Sequence, residues 1–343
     1  MSAPERFLER LTARRAEDPS WVAARRQAGA ARFEALGFPT RRDEEWKYTD
    51  VRRIAEGDFA LATDAAFDTA RFDEQRLDID AYRLVLVDGV FSAELSRLDG
   101  LPAGVSLEPL SKAMATNHEA VGGSLGRLAG VDFSPFTALN TAFAEEGVIV
   151  RLAPGTVVDK PIYVLLLSRA NERPVMSHPR VLIEAGARAE ATIVEHYSGE
   201  PDAANFTNVV TEVLLDRGAI VDHYKLQEAA LTDLHVASIH VDQGRDSRFN
   251  SYNLNLGGAL VRTDLVTDLN AEGAEAAYNG LFFVQGRQHV DNHTLVNHNA
   301  PRTFSNENYK GVLDDRSRGV FNGKVFVKKD AQQIEAYQNN ANL

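Results

Sequence analysis

The run VVTEVLLDRGAIVDHYKL, Val209 to Leu226, decides the fold. Two short apolar stretches, Val209 to Leu215 and Ile220 to Leu226, flank the turn signal Gly218-Ala219. Each is short for a helix and rich in β-branched residues, so each predicts a strand. The same unit recurs on both sides, in Val148 to Leu152, Ile162 to Leu167, Val181 to Ile183, Ala191 to Val194 and His235 to Val241. Further on, Asn253 and Asn255 alternate with Tyr252, Leu254 and Leu256. Val261, Thr263, Leu265, Thr267 and Leu269 alternate with Arg262, Asp264 and Asp268, again at the two-residue period of a strand.

The turns repeat as well. Gly186-Ala187, Gly218-Ala219, Gly258-Ala259 and Gly273-Ala274 each open a strand-like run. Gly155, Gly186, Gly218, Gly244 and Gly273 are separated by 31, 32, 26 and 29 residues. Loose self-similarity at that period predicts a solenoid with two or three short strands per coil. Hairpin dipeptides are scarce: Asn279-Gly280 and Asn322-Gly323 each lie beside strand texture, which disfavours an up-and-down antiparallel barrel. Helical patterns nearly vanish after Gly147, which disfavours a βαβ fold. The chain therefore reads as mainly β, with a parallel β-helix core over 147–343. Each coil of such a core buries its side chains only by stacking on neighbours, so the end coils need caps or partners.

Residues 1–146 read as an N-terminal helical domain with some strand. Ser20 is the expected N-cap of a helix running to Leu36, stopped by Gly37 and Pro39. Arg41 to Val51, RRDEEWKYTDV, reads as a solvated helix or turn anchored by Trp46 and Tyr48. The acidic, Ala-rich run from Glu56 to about Asp80 reads as a mobile or variable connection. A strand at Leu84 to Val87, closed by Asp88-Gly89, and a helical patch from Leu110 to Leu128 complete this half.

Composition narrows the function. The 343 residues carry 37 Lys and Arg against 49 Asp and Glu, a net charge of −12, which argues against nucleic-acid binding. The chain has no cysteine, so it offers no disulfide, thiolate metal site or cysteine nucleophile. No apolar run approaches the roughly 20 residues that cross a bilayer, and Met1 to Arg15 lacks a secretory apolar core. The expectation is a cytoplasmic protein bound to neither membrane nor nucleic acid.

Four motifs invite chemistry. Gly122-Gly123-Ser124-Leu125-Gly126 matches the G-x-S-x-G nucleophile elbow, but that elbow needs a strand before it and Met114 to Val121 read as helical. His289, Asp291 and His293 share one face of a strand and form a two-His, one-carboxylate set. Asn297 and Asn299 continue that face, which favours a hydrogen-bonded polar ladder over a metal site; His298 points the other way. His118-Glu119 lacks the second histidine of a zincin, and Gly323-Lys324 lacks the upstream pattern of a P-loop. No catalytic, cofactor-binding or metal residue is assigned from these patterns.

Four ordered stretches carry a family likeness: Arg41 to Val51; LNTAFAEEGVIVRLAPGTVVDKPIYVLLLS, Leu139 to Ser168; HPRVLIEAGARAEATIVEHY, His178 to Tyr197; and RSRGVFNGKVFVKKDAQQIEAYQNNANL, Arg316 to Leu343. Together they resemble the SufB/SufD family of the SUF iron–sulfur cluster assembly system. The first stretch and the missing cysteines look more like its SufD branch than its cysteine-bearing SufB branch. The resemblance implies a right-handed parallel β-helix behind an N-terminal helical domain. It implies a non-enzymatic scaffold subunit that pairs with a SufB-like paralogue and a SufC-like ABC ATPase, with the cluster assembled jointly on the SufB–SufD pair.

Family members continue past the stretch matched by Asn339, Asn340 and Leu343, into a last β-helical turn with a functional histidine and a helical domain that docks the ATPase. The chain is therefore expected to be a C-terminally truncated member, and no catalytic residue carries over. An open terminal coil is expected to allow homodimerisation in isolation. Iron–sulfur clusters are normally held by cysteine thiolates, so a cysteine-free chain in this pathway needs a partner to handle the sulfur. No cofactor is expected on this chain alone. The competing expectation is a β-helical polysaccharide lyase or esterase, which rests on fold analogy.

Overall fold

The computed structural model describes residues 2–11, 18–116 and 118–343. Among the described residues, seven α-helices lie before Gly147: α1 (Ala3–Leu8), α2 (Ser20–Leu36), α3 (Arg52–Ala55), α4 (Thr69–Gln75), α5 (Leu110–Thr116), α6 (His118–Ser124) and α7 (Pro135–Phe143). Among them sit β1 (Tyr82–Val87), β2 (Val90–Arg97) and β3 (Val105–Pro109). The remainder is strand: β4 (Gly147–Leu152), β5 (Ile162–Ser168), β6 (Met176–Ser177), β7 (Arg180–Ala185), β8 (Glu190–Gly199), β9 (Phe206–Leu215), β10 (Ile220–Gln227), β11 (Leu234–Gln243), β12 (Arg248–Asn255), β13 (Leu260–Leu269), β14 (Glu275–Val284), β15 (His289–His298), β16 (Phe304–Leu313), β17 (Arg318–Val327) and β18 (Glu335–Asn342).

These strands wind as a parallel β-solenoid. One sheet runs β18-β16-β14-β12-β10-β8-β5-β1-β2 and the other β17-β15-β13-β11-β9-β7-β4-β3, so each coil gives one strand to each sheet. The seven coils start with the β4–β5 pair and end with β17–β18. Two strands per coil, and not three, is the outcome. Asn279-Gly280 and Asn322-Gly323 fall inside β14 and β17, as strand residues. The tight hairpin is instead at Asp88-Gly89, between β1 and β2, where both residues have positive φ (49° and 83°), the backbone that a two-residue hairpin with the right twist requires. Strands β1 and β3 extend the two sheets beyond Gly147, β1 parallel to β5 and β3 antiparallel to β4.

Coils stack in register, so interior columns can be read directly. Val209 lies on Ala237, Ala237 on Thr263, Thr263 on Asn292 and Asn292 on Phe321. In the opposite sheet Glu195, Lys225, Asn253, Gly280 and Tyr309 form a column. Gly280 is dictated by packing: a Cβ there would stand 2.1 Å from the Tyr309 ring. The interior is apolar through the early coils (Val148, Val150, Val164, Val181, Ile183, Ile193), and from Glu195 onward buried polar side chains join an apolar core that continues through Val213, Ile239 and Leu265.

The helical layer lies on the outer face of the β9–β11–β13 sheet. Phe33, Trp46 and Phe136 pack with Phe206, Leu234 and Leu260 in one buried cluster. Helices α2 and α7 approach so closely at Gly29 that a Cβ would meet the Ala142 nitrogen at 2.7 Å. Helix α2 begins at Ser20 with Pro19 in the cap position and no side-chain cap, which corrects the Ser20 N-cap; Gly37, at φ 67°, ends it as the sequence predicts. Tyr48 is exposed, so of the two aromatics only Trp46 anchors the segment by burial. The stretch from Glu56 to Asp80 is more built than its composition suggests. Ala60 bridges Val175, α4 is capped by Asp68, and Phe59 and Phe72 are buried.

Candidate functional site

Two clusters of polar side chains stand out, one inside the solenoid and one beneath the N-terminal segment. The inner one is built by period-two alternation on β8, β9 and β10, which aims Glu195, Tyr197, Thr211, His223 and Lys225 inward. The Glu195 carboxylate accepts from the Tyr197 hydroxyl (2.5 Å) and the Thr211 hydroxyl (2.9 Å), and its Oε1 lies 2.8 Å from His223 Nε2. Burial pushes its pKa up, but the His223 charge and these hydrogen bonds outweigh burial and hold it below the ordinary carboxylate range.

Lys225 is the contrasting case. It is fully buried, and among the described residues its Nζ has no hydrogen-bond partner. The ammonium stands 5.0 Å from the centre of the Tyr197 ring, a cation–π position. Burial lowers its pKa to about 7, only partly opposed by Glu195. Between that value and the ordinary lysine value the unfolded chain binds the extra proton, so this group makes stability rise with pH through that window; below it the cost is constant and largest. Lys225→Met is therefore expected to stabilise the protein by about 1–4 kcal/mol at neutral pH. It should also flatten the rise of stability on the alkaline side, measured by urea unfolding across that range.

The outer cluster answers the His289, Asp291, His293 question. All three lie on one face of β15, as predicted, and the segment Arg41–Val51 crosses over them. Thr49 donates to Asp291 Oδ2, and its hydroxyl lies 2.8 Å from His289 Nε2. Asp291 also accepts from Arg262 Nη1 on β13 at 2.8 Å, and its other oxygen lies 3.0 Å from His293 Nε2. The Arg262 guanidinium, 2% exposed, grips Asp264 through Nε and Nη2 and donates to the Glu45 carbonyl at 2.6 Å. Its carbon centre sits 3.9 Å from the Trp46 ring. Glu45 in turn pairs with Lys324 on β17 and lies 3.4 Å from His293 Nδ1. RRDEEWKYTDV is thus a strap that ties three successive coils. The position between the two histidines and Asp291 is taken by Arg262 and Thr49. Among the described residues no group of three or more His, Asp or Glu side chains is disposed to hold a metal ion.

Electrostatics follow the geometry. Burial pushes the Asp291 carboxyl up, but His293, Arg262 and Thr49 bring it below its ordinary range. Burial lowers the His289 pKa. The Lys324 hydrogen bond holds Glu45 down. Next along the face, Asn297 donates to Asp268 (2.8 Å), and Asn299 to Asn270 (2.8 Å), which itself donates to Asp242 (2.7 Å). This is the coil-to-coil polar ladder expected from the sequence. His298 faces inward, between the Thr303 and Ser305 hydroxyls.

Ser124 ends helix α6 and donates to Glu184, with helix and not strand before it, so it does not stand on a nucleophile elbow. The sequence reading missed Arg262 as the hub of the strap and missed Lys225 entirely. A charged residue at an inward strand position was the available signal for Lys225. No helix among the described residues is long and apolar enough to cross a membrane.

Stacked two-strand coils carrying a strapped-on helical layer define a β-solenoid protein of large, rigid walls. Comparison with known families makes this specific. Residues 167–343 match the model described as "SUF system FeS cluster assembly, SufBD core domain", and residues 6–164 match "SufBD protein N-terminal region". The chain belongs to the SufBD family of the SUF iron–sulfur cluster assembly system. It is similar to an iron–sulfur cluster assembly SufBD family protein of Synechocystis, 30% identical over 335 residues, covering 95% of this chain and 74% of the relative. It is also similar to the iron–sulfur cluster assembly protein SufD of Escherichia coli, 26% identical over 310 residues and covering 90% and 70% of the two chains. A SufBD family protein of Mycobacterium tuberculosis matches at 24% over 319 residues, covering 90% and 69%.

Proposed function

We propose that this chain is a non-enzymatic scaffold subunit, of the SufD kind, that acts in the cytoplasm with a cysteine-bearing SufB-like paralogue and a SufC-like ABC ATPase. The observation that carries the reading is the pair of family matches, which run from residue 6 to residue 343 and cover both the helical layer and the coils. Composition supports it from another side. A chain without cysteine cannot supply thiolate ligands, so the iron–sulfur cluster, as the system's product, is assembled jointly with a partner that brings the sulfur. The contribution of this chain is shape: a wall whose coils are locked to one another by the strap and by the ladder from Asp242 to Asn299. No feature of the solenoid favours the lyase or esterase alternative.

Co-expression tests the reading. The chain is expected to co-purify in stoichiometric amount with its cysteine-bearing paralogue, and the isolated complex to accept iron and sulfide that the chain alone does not. Separate elution of the two proteins at micromolar concentration, with the ATPase also present, would overturn it.

A further inference from the structure

A cleft of about 520 Å³ opens between the strap, the Phe133–Pro135 loop and the outer faces of β13, β15 and β17. Its walls are apolar: Leu36, Pro39, Trp46, Phe133, Val266 and Leu295. Leu36 and Phe133 line it with 39% and 43% of their surface exposed. The Phe133 ring is held in place, edge-on to His240 at 4.4 Å. A fixed, half-exposed aromatic beside an apolar hollow is the anatomy of a recognition pocket.

The rim gives the sign of the ligand. Asp43, Glu44, Glu45 and Asp264 line it, against Arg262 and Lys324. Both cations are spent, Arg262 on Asp264 and Asp291 and Lys324 on Glu45. Asp43 and Glu44 are exposed and, among the described residues, pair with no cation. An acidic lip over an apolar floor selects a ligand with the converse arrangement.

We propose that this cleft is a docking site for a segment of a partner polypeptide that inserts one or two large apolar side chains and presents Lys or Arg to Asp43 and Glu44. The proposal rests on the assembly-subunit reading above and adds to it a second contact surface, on the helical side of the molecule.

The test places the photo-crosslinking residue p-benzoylphenylalanine at position 133 and co-expresses the chain with its paralogue and the ATPase. The expected result is an adduct to one of the two partners, whose crosslinked peptide carries a large apolar residue flanked by Lys or Arg. Its yield should fall at least fivefold in the Asp43→Lys, Glu44→Lys double variant and stay unchanged with Leu231→Glu, an exposed apolar residue outside the cleft. A complex that assembles while position 133 reacts only within its own chain, or reacts with an acidic peptide, or ignores the charge reversal, overturns the docking site and leaves the subunit reading standing. Failure of the unmodified chain to bind either partner removes both.

Discussion

Arg180→Ala is expected to destabilise the protein by about 3–5 kcal/mol, the range for breaking a buried ion pair from one side. Arg180 and Glu212 are 2% and 0% exposed, and two guanidinium nitrogens of Arg180 reach Glu212 Oε1 at 2.8 and 3.0 Å. Arg180 also donates to Asn140, Thr141 and the Ala129 carbonyl, which ties β7 to α7 and to the loop after α6. Glu212 accepts from the backbone N–H groups of Gly126 and Leu128 at 2.7 and 2.8 Å. Without Arg180 the carboxylate stays buried with those donors and loses the cation that grips it, leaving the half-buried Arg25 nearby. In the native protein burial raises its pKa, but Arg180 and the Gly126 and Leu128 amides bring it below the ordinary range, so the group contributes stability at neutral pH that is lost on acidification. Removing the cation raises that pKa, so less of this stability is present at neutral pH. The deficit of the variant is therefore larger at neutral pH than at mildly acidic pH. Urea unfolding at two pH values reads both the size and the sign. Arg180→Met with Glu212→Gln keeps an acceptor for the amides and removes both charges; it should recover at least half of the loss. An Arg180→Ala cost under about 1 kcal/mol would place this pair among ordinary surface contacts.

Arg262→Ala is expected to cost a similar amount, about 3–5 kcal/mol, for the same physical reason, and to act on a different part of the molecule. Asp291, 1% exposed, loses the guanidinium that pairs with it; Asp264 loses a two-point contact; Trp46 loses the cation on its face. The strap should then lift. Trypsin cleavage at Arg41, Arg42 or Lys47 is expected to accelerate at least tenfold, while cleavage within the coils changes little. Arg262→Lys should not restore the native rate, because a lysine cannot grip Asp264 with two nitrogens and lie flat on an indole together. Lys324→Ala is the useful contrast. The Lys324–Glu45 pair is half exposed on both sides, so its loss should cost no more than about 1 kcal/mol. Equal cleavage rates in Arg262→Ala and the wild type would show that the strap is held by Trp46 burial and not by charge.

How much of this was legible in the sequence differs by level. The coils were, because a strand's side chains alternate at period two and a coil's turns recur at one spacing, and both periods survive in a linear string. Every strand run read from Val148 to Leu269 falls on a strand of the solenoid, with only Leu256 past the end of β12. The face assignment was not. Asn253 and Asn255 alternate with Leu254 and Leu256 as if the asparagines were outside; in the structure they are buried and point inward. Alternation specifies two faces without naming them, and a solenoid that fills its interior with Glu195, Lys225 and Asn253 inverts the usual assignment.

The candidate site shows the same division. That His289, Asp291 and His293 share a face follows from spacing alone. What meets that face does not, since Thr49 and Glu45 lie more than two hundred residues away in the chain. The sequence by itself determined the repeat, the absence of thiol chemistry, the acidic balance and the family. Only tertiary structure decided which side of each strand became interior, that Arg262 and Thr49 pack among His289, Asp291 and His293, and that the charged segment Arg41 to Val51 became a strap. The reason is physical. Local periodicity is a property of neighbouring residues, whereas burial, charge pairing and orphaned donors are properties of groups that only folding brings together.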